Sequence, residues 1–239
     1  MGLKSCLAFV WLVMAASSHA DVQSTVPNAF AAAPAGGTFL GPLANAQRTY
    51  QLLIGQSQIT AHLGNALTGI TFRLPPSATA DWPAAALTFA SYDIRLSASV
   101  APADRSLTFA NNVVGTQTLV RSGALTLSPG SFDSGSSPNA FGVGINFDSA
   151  YTYGGGNLLI EIRHTGFSGT STSVDAVLAS APPAAGYGTL FSAAWTANYA
   201  GTSGAQGNFA VLQITSVPEP ATAILLAAGI VALIARRRR

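Results

Sequence analysis

The chain has 239 residues, a formal net charge of +2, 49% hydrophobic residues and only 8% charged ones. The basic excess lies at the ends: between residues 21 and 216 six arginines stand against eight carboxylates, a net of minus two, so no basic surface suited to a phosphate backbone remains and nucleic-acid binding is unsupported. The same stretch contains no Cys, Met or Lys, which removes disulfide staples and thiol or amine nucleophiles and leaves a hydrophobic core as the source of stability.

At the N-terminus, Lys4 precedes an apolar run from Leu7 to Ala16, and Ser18-His19-Ala20 places small residues before a cut. This order reads as a secretory signal peptide over residues 1–20, with cleavage between Ala20 and Asp21 by signal peptidase after passage through the secretion machinery. Cys6 precedes the apolar run, so lipidation there is not expected and the thiol leaves with the signal. Residues 21–45, rich in Ala, Pro and Gly, read as a leader with little structure.

Residues 46–216 read as one domain of short strands. Phe141-Gly142-Val143-Gly144-Ile145-Asn146-Phe147 alternates large apolar residues with small or polar ones, which at period two puts Phe141, Val143, Ile145 and Phe147 on one face. Asn157–His164 repeats the alternation with Leu158, Ile160 and Ile162 inward and Glu161 and Arg163 outward, and Tyr92–Leu96 does the same around Asp93 and Arg95. Further strands are expected at 50–54, 70–74, 87–90, 107–110, 116–121, 124–127, 174–178 and 209–215, with a loose loop at 200–207. Turn signals such as Leu74-Pro75-Pro76, Ser128-Pro129-Gly130 and Gly154-Gly155-Gly156 separate them. The pattern predicts an all-β body, an antiparallel β-sandwich of jelly-roll type. Tyr151–Ile162, with its aromatic-Gly-Gly-Asn-Leu turn, resembles a pattern common in bacterial exported β-sandwich domains, which carries architecture but no function.

Within that body the chemistry-bearing residues are sparse. His62 and His164 sit in no metal-ligand spacing and read as surface or strand-end residues, so no metal or cofactor is expected. No Gly-x-Ser-x-Gly elbow occurs, and no catalytic residue is assigned. A carboxylate pair for glycoside hydrolysis is the enzyme reading hardest to dismiss: eight acids are available, spacing does not show which approach one another, and Glu161 and Asp148 are the two whose substitution would test it; an ion pair of Glu161 with Arg163 and another of Asp93 with Arg95 are the simpler expectation. Asp133, Asn139 and Asp148 offer oxygen ligands for calcium, but in no repeat that binds it. Trp82, Tyr92, Tyr151, Tyr153, Tyr187, Trp195 and Tyr199 supply aromatic faces for a sugar platform, or else fill the core.

The C-terminus carries the strongest signal. Val217-Pro218-Glu219-Pro220 is followed by an apolar run, Ala221 to Ala235, and by Arg236, Arg237, Arg238 and Arg239. Fifteen residues make a marginal span against the about 20 that a bilayer needs. The segment is apolar all round, as a single C-terminal transmembrane helix is, and the four arginines hold the chain end in the cytoplasm. Two prolines keep the tetrapeptide extended. Motif, helix and arginine cluster together resemble the PEP-CTERM sorting signal of Gram-negative bacteria, here residues 217–239. The resemblance implies recognition of Pro218, Glu219 and Pro220 by a membrane-embedded exosortase, release of the helix, and delivery of the body to the cell surface or exopolysaccharide matrix. The expected role is structural or adhesive and non-enzymatic; the alternatives are a carbohydrate-binding module for the exopolysaccharide and, behind it, a secreted hydrolase.

Overall fold

A computed structural model describes residues 20–181 and 185–218. The expected signal peptide apart from Ala20, the expected transmembrane segment 221–235, Glu219, Pro220 and Arg236–Arg239 lie outside the described residues. Among those described, no helix is long and apolar enough to cross a membrane.

The body is all-β and its sheets are antiparallel, as the alternation predicts. Four strands form one sheet in the order β1 (Val22–Val26), β15 (Leu212–Pro218), β4 (Asn65–Phe72), β9 (Ile145–Thr152). Six form the larger sheet in the order β13 (Ala205–Gln206), β12 (Phe191–Thr196), β3 (Arg48–Ile54), β10 (Leu158–His164), β6 (Tyr92–Ser99), β7 (Val113–Arg121). Two small sheets complete the fold: β14 (Phe209–Ala210), β11 (Val174–Val177) and β2 (Gly37–Phe39), and the pair β5 (Leu87–Phe89) with β8 (Leu125–Leu127).

One apolar cluster joins the two large sheets. Tyr50, Leu52, Ile54, Ile94, Leu96, Ile160 and Ile162 enter it from the larger sheet, and Val26, Leu67, Ile70, Phe72, Ile145, Leu212 and Ile214 from the smaller. Period two assigns the inward residues of β10 correctly, because a pleated strand sends alternate side chains to opposite faces. The outward face is not free, however. Thr49 donates to the carbonyls of Asn198 and Tyr199, Gln51 to that of Phe109, and Ser192 to that of Pro102, so the segments around 102–112 and 198–204 roof the larger sheet.

Several sequence expectations change here. The leader carries β1 and β2, and it is clamped by a buried charge pair: Arg73 donates to the Phe30 and Ala33 carbonyls and bridges Asp175 at 2.7 Å, while Asp175 accepts the Ala35 amide. In the stretch 141–147 only Ile145–Phe147 lies in a strand; Val143 is 47% exposed, and Phe141 lies beneath the Arg73 guanidinium at 5.3 Å. Residues 107–110 give way to a 3-10 turn at Phe109–Asn112, and the loop 200–207 contains β13. Both histidines are buried, not superficial.

Candidate functional site

The two expected processing points meet at one end of the smaller sheet. Val22 pairs with Ser216, so Asp21 and the exposed Ala20 stand beside the last residues of β15. Val217 and Pro218 are themselves in that strand, in register with Ala66 and Asn65, and are half-buried. The sorting tetrapeptide therefore begins inside the sheet, with no linker before it. Pro218, in register with Asn65, has no amide hydrogen to donate to the ladder.

His62 straps this end together. Its Nδ1 lies 2.7 Å from the Ser216 hydroxyl on β15, and its Nε2 meets the Ser24 hydroxyl on β1. Burial lowers its pKa, so the ring is neutral at pH 7. A hydroxyl behind the ring cannot stabilise an imidazolium as a carboxylate does, so the trio holds strands and lacks the third member of a nucleophilic triad. His164 is likewise neutral, its pKa brought down to about 4 mainly by burial. Its Nε2 lies 2.8 Å from the Gly41 carbonyl while Nδ1 accepts from the Gly166 amide, and the ring stacks on Tyr92.

A second site lies on the outer face of the larger sheet, where a cleft of about 380 Å³ is lined by Phe109, Gln117, Glu161, Arg163 and Thr202 among others. Glu161 is only 2% exposed. Its two oxygens are engaged at 2.7 Å each, one by Arg163 Nε and the other by Gln51 Nε2. Asn112 donates in turn to the Gln51 side-chain oxygen. The expected Glu161–Arg163 ion pair is formed, but at the bottom of a covered cleft and not on a solvated face. The Asp93–Arg95 pair is not formed: Asp93 accepts from Ser91, Tyr199 and the Gly123 amide, and Arg95 has no hydrogen bond or ion pair.

Glu161 and Asp148 lie on different sheets. Asp148 lies on β9 of the other sheet, where it accepts the Ser122 amide. The calcium trio is dispersed too: Asn139 bonds the Leu74 and Pro75 carbonyls and the Ser136 amide, while Asp133 is exposed in its own loop. Among the described residues no cluster of His, Cys, Asp and Glu could hold a metal ion.

The aromatics divide. Tyr92, Tyr153 and Tyr187 are core, Tyr151 packs partly buried against it, Trp82 packs on Phe132 and Phe167, and Tyr199 serves Asp93. Trp195 lines a cleft with Phe39, Leu40 and Arg48, whose guanidinium lies 5.0 Å from the indole ring. The reading by residue type missed Gln51, Ser97, Asn112 and Gln117. One signal was available: Thr49/Gln51, Arg95/Ser97 and Glu161/Arg163 are polar pairs two apart on three strands, which mark a shared polar face.

Compared with known families, residues 216–239 match the PEP-CTERM protein-sorting motif, starting within β15. No curated protein and no solved structure matches the chain.

Proposed function

We propose that this chain, which carries a PEP-CTERM protein-sorting motif at residues 216–239, is a surface or extracellular-matrix protein that acts by adhesion or assembly after an exosortase has processed it. The motif implies exosortase-dependent sorting of an exported protein. The observation that supports the rest is the joining of motif to fold. β15 runs without a linker into Pro218, and three residues later the apolar run begins, so the precursor holds its β-sandwich close against the inner membrane until the tail is cut. A weakly charged, cysteine-free body suits an exported matrix component. Its cleft carboxylate, Glu161, is fully engaged by Arg163 and Gln51, which favours a non-catalytic role.

Carbohydrate binding is the second reading, favoured by the cleft above Glu161. Replacing Pro218, Glu219 and Pro220 by alanine tests the sorting step. The variant is expected to accumulate as an unprocessed, membrane-held precursor in fractionated cells; release at the unaltered protein's level would contradict it.

A further inference from the structure

The geometry points to a carboxylate-binding site in the cleft on the larger sheet, suited to a uronic acid residue of an acidic polysaccharide. It deepens the adhesive reading but stands on residues remote from the sorting motif, so the two can fail separately.

The polar groups left without partners there are donors. Gln117 Nε2, Arg95 Nε and the Ser97 hydroxyl are buried and unsatisfied. Gln117 lines the cleft; Arg95 is the register partner of Glu161 on the same outer face, and Ser97 lies two residues further along that strand. Arg163 spends only its Nε on Glu161; its terminal nitrogens have no protein partner, and its side chain is 24% exposed. A buried N–H left unbonded forfeits its hydration without recompense. Gln117 and Arg163 line the cleft and Arg95 and Ser97 stand on the neighbouring strand, a run of donors that one acceptor-rich ligand would satisfy together.

Donor geometry narrows the class. Glu161 and Asp93, the register partners of Arg95 and Arg163, balance the two guanidinium groups in charge, but both carboxylates are already bonded within the protein, so what remains over β6 and β10 is the unspent guanidinium nitrogens. The free edge of a guanidinium matches a planar carboxylate in a two-pronged pair, and the Glu161–Gln51–Asn112 chain beneath fixes the orientation of that edge. A volume of about 380 Å³ lies within the range of small-ligand sites. The rim includes Ala110, Gly115 and Thr202, small neutral residues that leave room for the neighbouring sugars of a chain, and the Thr202 hydroxyl adds a partner for theirs.

Affinity electrophoresis of the purified protein in gels containing polygalacturonate, dextran or dextran sulfate tests the site. Retardation is expected in polygalacturonate alone, with Arg95→Gln and Arg163→Gln each weakening it at least about tenfold. Arg95 makes no side-chain bond within the protein, so its variant is expected to melt as the unaltered protein does and to isolate binding from folding. No retardation in polygalacturonate, equal retardation in dextran or dextran sulfate, or unchanged binding by the folded Arg95→Gln variant would overturn the assignment.

Discussion

His164 shows how burial turns one residue into a pH dependence. Its neutral ring donates to Gly41 and accepts from Gly166, and a second ring proton would face the Gly166 amide hydrogen instead of bonding it. The pKa in the fold is about 4 against an ordinary 6.5, so the unfolded chain binds the proton more tightly. Stability is therefore full above pH 6.5 and declines as pH falls towards 4, by on the order of 3 kcal/mol from this group. His62 is shifted in the same direction. Urea midpoints at pH 7, 5.5 and 4 should fall in that order, and more shallowly in His164→Asn; equal midpoints would contradict the account. Arg73 makes a sharper case. Arg73→Met leaves Asp175 buried without its cation and should cost about 3–5 kcal/mol in denaturant unfolding, whereas a loss under about 1 kcal/mol would show the pair to be dispensable. Neither role is legible in the residue types. Alternation tells which side of a strand Glu161 or Arg73 occupies, and nothing in it tells that a distant loop closes over that side.

Among elements, legibility followed side-chain contrast. β10 alternates bulky aliphatics with charges, and its inward residues are recognised from the pattern alone. β1, β2 and β12 were missed because Ser, Thr, Ala and Gly blur the alternation, and their strand state is set by neighbours that supply the pairing. The stretch from Phe141 to Val143 shows the opposite error: apolar periodicity is present, but Gly142 packs over Phe132, where an added Cβ would lie 2.2 Å from its ring, and the ladder starts only at Ile145. β1 bears the most consequence. It covers the edge of β15, seals Val26 in the core and supplies Ser24 to His62. Deleting residues 21–26 from the body should lower its melting temperature and leave β15 open to pair with another chain, visible as oligomers in size-exclusion chromatography. A monomeric truncation with an unchanged melting temperature would contradict that role.

For the molecule as a whole, the expected cut after Ala20 lies just before β1, beside the start of the sorting motif at Ser216 on the adjacent strand. Strand β1 begins one residue after that cut, and β15 ends three residues before the apolar run. The body thus brings its two ends together at one end of the smaller sheet, with the cleft above Glu161 on the other large sheet. The tail was readable from sequence because its order of prolines, apolar run and arginines is local, while the adjacency of the two ends is a product of pairing across some 190 residues. Mass spectrometry of the intact protein recovered from the cell exterior tests the central claim most directly. The account predicts an N-terminus at Asp21 and a C-terminus that has lost residues 221–239; a chain found in the cytosol with both ends intact would contradict it.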